Sequence, residues 1–137
     1  MIARPVLKEN VSQLWSLVEP HLKRAFDLDS SDYCLEHAKV YLVSGEWQLV
    51  VLVDESDSIC GACTVQFINR PNDRVAFVTA MSGKFITDTQ PFESFKTLMR
   101  SYGATKMQGA ASTESRLKLY QNKFGMSSKY TIVEGSL

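Results

Sequence analysis

The chain has 137 residues and a mass of 15.4 kDa, the size of one ordinary domain and too short for a second with its own core. Its Lys and Arg (15) balance its Asp and Glu (15), with a pI near 6.7, so no overall basic field draws it to nucleic acid or anionic lipid. A hydrophobic fraction of 45% beside 22% charged residues excludes the disordered regime.

No apolar run approaches the roughly 20 residues that span a bilayer. The opening MIARPVLKEN lacks a basic segment followed by a hydrophobic stretch and a cleavage site, so a soluble, cytoplasmic product with no membrane partner is expected. Cys34, Cys60 and Cys63 are odd in number, and C-G-A-C has no second Cys or His pair at zinc spacing. Neither a disulfide framework nor a metal site is expected.

Ile2 to Leu7 contains Pro5, which withholds a backbone donor and suits an edge strand. From Asn10, an N-cap candidate, Val11, Leu14, Trp15, Val18, Leu22 and Phe26 step by three and four, which predicts a helix that Pro20 kinks or splits. Asp29, Ser30, Ser31 and Asp32 are cap candidates for a second helix over Tyr33, Leu35, Ala38, Val40, Tyr41 and Leu42, closing at Gly45.

Trp47 to Val53 is nearly continuous in apolar character, as in a strand buried on both faces. Ile59 to Ile68 and Arg74 to Met81 follow across turn-rich segments and complete an antiparallel meander. A polar connection after Ser82 and Gly83 leads to Pro91, which opens a helix over Phe92, Phe95, Leu98, Met99 and Tyr102. Lys106 to Ala111 predicts a short strand, and Ser112 or Thr113 caps a helix through Leu117, Leu119, Tyr120 and Phe124 that stops at Gly125. Lys129 to Glu134 reads as a last strand. The expected fold is a single α+β domain over residues 1–137 around one mixed, mostly antiparallel sheet.

This element order resembles the GCN5-related N-acetyltransferase superfamily over nearly the whole chain. The sharpest local match is S-T-E-S-R-L-K-L-Y-Q-N-K-F-G-M, Ser112 to Met126, which is similar to the family's last helix with its inner-face Tyr and a Gly-apolar step. I-A-R-P-V (Ile2 to Val6), S-G-E-W-Q-L-V-V (Ser44 to Val51) and I-C-G-A-C-T (Ile59 to Thr64) resemble its first three strands. More narrowly, the set resembles small acetyltransferase-like proteins encoded by bacteriophages, which would place the product in a host cytoplasm.

The resemblance implies a three-layer α/β/α sandwich and acetyl-CoA as co-substrate, lying between the strands Arg74 to Met81 and Lys106 to Ala111. It implies Tyr120 as the general acid that protonates the departing thiolate; the structural alternative is an amphipathic-helix residue packed on the sheet. Catalytic members carry a Q/R-x-x-G-x-G/A loop for the pyrophosphate, and here that place reads A-M-S-G-K-F-I-T-D-T-Q-P, Ala80 to Pro91. Ala80, Met81, Ser82, Gly83, Lys84 and Ser112 are the candidate cofactor contacts, with Ser82-Gly83-Lys84 as an anion-holding loop or an ordinary polar turn.

The strand Arg74 to Met81 carries no carboxylate or His, so a general base lies elsewhere or is a water. Glu36, His37 and Glu46 are the nearby titratable groups, more simply read as surface residues. Cys60 and Cys63, at an odd offset, are expected on opposite faces and not as nucleophiles. Lys96, Arg100 and Lys106 around Tyr102 read as a solvated helix face, not a nucleic-acid patch.

Two functions follow. One is an acyl-CoA-dependent N-acyltransferase acting on a small-molecule or protein amine. The other is a catalytically degenerate module that binds a phage or host protein, as a virion component or an inhibitor. Strand exchange or edge pairing through the final strand leaves room for a homodimer.

Overall fold

A computed structural model of the chain describes residues 1–29 and 32–137. A five-stranded sheet in the order β1-β2-β3-β4-β5 forms its middle layer. The strands are β1 (Ile2–Val6), β2 (Gln48–Val53), β3 (Ile59–Asn69), β4 (Arg74–Gly83) and β5 (Lys106–Gly109). The first four form the expected antiparallel meander, and β5 joins β4 in parallel. The helices are α1 (Val11–Asp29), α2 (Leu35–Ser44), the single turn α3 (Lys84–Thr87), α4 (Pro91–Ser101) and α5 (Glu114–Phe124).

Strand β2 shows why the sheet is covered on both sides. Leu49 and Val51 enter one apolar cluster with Val18, Leu22 and Phe26 of α1 and Ala38 and Leu42 of α2. Val50 and Leu52 enter a second with Phe85 of α3 and Phe95 and Met99 of α4. Alternation along a strand sends neighbours to opposite faces, so a continuous apolar run requires a layer on each. The α+β three-layer sandwich is the observed fold, and no described helix is long and apolar enough to cross a membrane.

Several local expectations change on folding. Pro20 does not split α1, which runs unbroken from Val11 to Asp29. The hydrogen bond it forfeits would have reached the carbonyl of Ser16, and both residues face solvent, where water replaces it. The N-cap of α2 is Cys34 and not the Asp29 to Asp32 cluster, of which Ser30 and Ser31 lie outside the described residues. There His37 Nδ1 accepts from the Cys34 N–H at 3.2 Å. Thr113, and not Ser112, caps α5, accepting from the Arg116 N–H at 3.2 Å.

Lys129 to Glu134 is not a strand: residues 125–137 hold no helix or strand. Its β-branched residues favour extended backbone, but a strand exists only where a neighbour completes the ladder.

The largest departure is at the end of β4, which extends past Met81 to include Ser82 and Gly83. Gly83 pairs with Gly61 of β3, and at φ +70 a Cβ on Gly83 would lie 2.4 Å from the Cys60 carbonyl oxygen. Only two glycines let the backbones close there. Gly125, at φ +63 with nothing within 4 Å of such a Cβ, carries the conformational requirement without the collision. Gly125→Ala should therefore cost about 1 kcal/mol and Gly83→Ala about 3 kcal/mol or more, read from urea midpoints at constant m.

Candidate active site

The two ends of β4 are built differently. At its start Arg74 fastens the neighbouring elements: its N–H donates to Thr105 Oγ1 at 3.1 Å and its carbonyl accepts from Thr105 N at 2.8 Å. Its guanidinium donates to the Tyr102 carbonyl at 2.9 Å and to Asn69 Oδ1 at 2.9 Å, and lies 4.6 Å over the Phe67 ring. From there the parallel ladder runs from Val75↔Lys106 to Val78↔Gly109 and stops. Ala80 to Gly83 continue along β3 with no β5 partner among the described residues.

Beside this point β4 carries a β-bulge. On β3, Thr64 pairs with Ala80 and the next residue, Val65, with Val78, so Thr79 is one residue more than the ladder accommodates. Its hydroxyl donates to the Thr64 carbonyl at 3.0 Å and stands 2.6 Å from Thr64 Oγ1, which holds the bulge although Thr64 is fully buried. A bulge bends and twists its strand, and this one lies beside the point where β5 and its pairing with β4 end.

The wedge that opens is floored by Val78, Met81 and Gly109 and roofed by Phe92 of α4 and Tyr120 and Phe124 of α5, around a cavity of about 30 Å³. That is room for a water or two. Phe92 and Phe124 stack with centroids 4.8 Å apart, and Tyr120 stands 6.2 Å from Phe124. Lys96 lies 4.9 Å over Phe92 and pairs with Glu93 at 3.0 Å. Lys123 of α5 donates to the Ile86 carbonyl, placing a cation at the C-terminal end of α3.

The residues singled out in the sequence come together only in part. Met81 and Tyr120 line the same cavity. Ala80 belongs to the cluster beneath α1 and α2, on the opposite face. Ser82 is buried in the β3 pairing and its Oγ has no hydrogen-bond partner among the described residues. Gly83 ends the strand and Lys84, exposed, begins α3, so Ser82-Gly83-Lys84 is a strand-to-helix junction in place of a loop. Ser112 lies apart from the wedge, in a groove beside β5 that Tyr120 also reaches. Thr79 and Phe92 were not legible as site residues: a bulge needs its partner's register, and the helical spacing of Phe92 equally fits the core.

Nothing on β4 offers a base. Glu36 is held below the ordinary carboxylate range, chiefly by its own backbone N–H and then by the Cys34 thiol, which makes it a poorer proton acceptor. His37 is engaged in the α2 cap, and Glu46 is exposed. Among the described residues no group of three or more His, Cys, Asp or Glu could hold a metal ion.

The cysteines share a face, contrary to the alternation expected. Leu52 pairs with Gly61 and Val53 with Ile59, so Cys60 is itself a bulge residue and the period of two is interrupted. Cys63 lies in the α4-side cluster and Cys60 packs against it. Burial pushes both thiols up, Cys63 far beyond the range in which a thiolate forms.

No family model and no curated protein sequence matches the chain. Its fold is nevertheless that of solved acetyltransferases. A probable acetyltransferase superposes with a TM-score of 0.68 at 15% identity, over 100% of this chain and 97% of the other. The ribosomal-protein-alanine N-acetyltransferase of Brucella melitensis biovar Abortus 2308 gives 0.65 at 11%, over 100% of both chains. An aminoglycoside acetyltransferase from an uncultured soil metagenomic sample, in complex with sisomicin, gives 0.67 at 10%, over 98% and 95%. Identities this low establish a shared fold.

A thiol reagent at neutral pH should modify exposed Cys34 at once, and Cys63 only at the rate of global unfolding. Modification of Cys63 in the folded protein would show that this cluster opens locally.

Proposed function

We propose that the protein is an acyl-CoA-dependent N-acyltransferase that moves an acetyl group from acetyl-CoA to an amine. The observation that carries this is the cavity at the end of the β4–β5 ladder, which stops at Val78 and Gly109 while β4 runs on, and which the Tyr120 side chain lines. A parted parallel pair leaves strand N–H and C=O groups unspent, able to hydrogen-bond an extended amide chain such as the pantetheine arm. The apolar walls suit the arm's hydrocarbon parts. The arm needs more room than the present cavity, so the Phe92 and Phe124 rings must part as it enters.

In this reading the amine attacks the thioester carbonyl carbon, the carbon–sulfur bond breaks, and the thiolate takes its proton from the Tyr120 hydroxyl. The attacking amine loses its proton to water, since β4 carries neither a carboxylate nor a His. A backbone N–H at the open edge near Met81 would polarise the carbonyl, and binding both substrates side by side supplies the entropic part of the acceleration. Lys84, exposed at the start of α3, and Ser112, at the groove, would contact the phosphates or adenosine; Ser82 and Gly83 shape the strand end that carries Lys84.

Titration of the protein with acetyl-CoA should give heat and raise the unfolding midpoint, since ligand at 100 times Kd stabilises the native state by about 2.7 kcal/mol. Absence of both at millimolar ligand would overturn the assignment and turn attention to a protein partner. Once an acceptor amine is found, Tyr120→Phe should lower kcat by about 10²-fold without unfolding the chain. Equal turnover would remove Tyr120 from the chemistry.

A further inference from the structure

The roof of the cavity has one firmly held half and one thinly held half. Phe92 belongs to α4, which Phe95 and Met99 anchor in the core cluster of Val50 and Leu52. Phe124 belongs to α5, of which it is the single buried residue among those described. The segments that suspend α5 are loosely built: Ala110 to Thr113 before it are exposed, and Gly125 at φ +63 leads from it into a tail in no helix or strand. Besides the Phe92 and Phe124 stack, Lys123 ties α5 to the frame, its ammonium donating to the Ile86 carbonyl. Ile86 is fixed in turn, because Phe85 before it is buried against Phe95. That acceptor is neutral. Lys123 has no carboxylate partner among the described residues, and Asp88, close to Ile86 in the chain, accepts from the Thr87 hydroxyl at 2.9 Å. An ammonium carries three donors, so this half-buried cation keeps donors and charge in reserve.

We infer that α5 is the moving wall of the cavity, and that the clasp from Lys123 to Ile86 holds it shut until an anionic group of the ligand takes the ammonium. The inference rests on the acyl-CoA reading for the ligand, a thioester that carries phosphates. At about 30 Å³ the cavity admits no arm while the two rings are stacked. Opening it through α4 would draw Phe95 and Met99 out of a core; opening it through α5 unstacks Phe124 and breaks the clasp, and so uncovers far less apolar surface.

A phosphate offers the Lys123 ammonium a full opposite charge where the carbonyl offers a dipole, and water can hydrate the released carbonyl of half-buried Ile86. A neutral ligand has nothing to exchange for the clasp and must open the roof unaided. Tyr120 lies one turn before Lys123 on the same helix, so the wall that yields also carries the phenol.

Amide hydrogen exchange and titration with two thioesters test this: acetyl-CoA, and S-acetylpantetheine, which has the same arm and no phosphate. Lys123→Met keeps the apolar stem and removes the donors and the charge. In the free variant the amides of α5 should exchange about fivefold faster, with those of β2 and α4 unchanged, which also verifies the fold. S-acetylpantetheine should bind the variant about fivefold tighter than the parent, since it no longer has to break the clasp, and acetyl-CoA about fivefold weaker, since the phosphate has lost its partner. Inorganic pyrophosphate, which brings the charge without the arm, should speed α5 exchange in the parent and not in the variant. Equal α5 exchange in parent and variant would overturn the clasp, whatever the ligands do. Both thioesters weakened alike by Lys123→Met would overturn the exchange of partners. Failure of acetyl-CoA to bind the parent would remove the acyltransferase reading, and the exchange rates of the free chains would still decide the clasp.

Discussion

Thr79 is one residue more than its ladder has room for, and the site is arranged around that surplus. The hydroxyl of Thr79 reaches the backbone and side chain of Thr64, so a polar contact in a fully buried setting holds β4 in a bent path. Behind the bulge, Arg74 and Thr105 tie β4 to the approach of β5; beyond it no β4–β5 pair is formed among the described residues. The cavity lies where the β4–β5 ladder ends, next to the bulge, and side chains of α4 and α5 line it.

The two cores keep that wedge from collapsing into a general loosening. Strand β2 contributes to both, and β3 carries Ala62 into one and Cys63 and Val65 into the other, so the first four strands are clamped between α1–α2 and α3–α4. At the far end of β4 the Gly61–Gly83 contact brings two backbones closer than any side chain permits, which fixes where α3 starts. The glycine used there serves the protein's own packing.

The outer edge of β5 is the counterpart of the wedge. The same strand that parts from β4 on one side is uncovered on the other, and Met107, Gly109 and Tyr120 border both openings. A segment that docks on the outer edge would hold β5 in place, and with it one wall of the wedge. Both openings therefore share one short strand of four residues.

What the sequence alone determined are the features whose physics is local. The three- and four-residue stepping from Val11 to Phe26 specifies a helix whatever surrounds it, the apolar run of β2 requires two covering layers, and glycine at Gly45 and Gly125 ends the helices α2 and α5 where a left-handed residue is needed. Tyr120 was legible as an inner-face residue for the same reason. The tertiary structure decided whatever depends on a partner strand. Bulges at Cys60 and Thr79 exist only relative to the registers of β2 and β3, and the first of them put two cysteines on one face against the alternation of an isolated strand. The extension of β4 through Ser82 and Gly83 waited on Gly61, and Lys129 to Glu134, strand-like in composition, joins no ladder among the described residues, because pairing depends on how two segments are brought together and not on the composition of one.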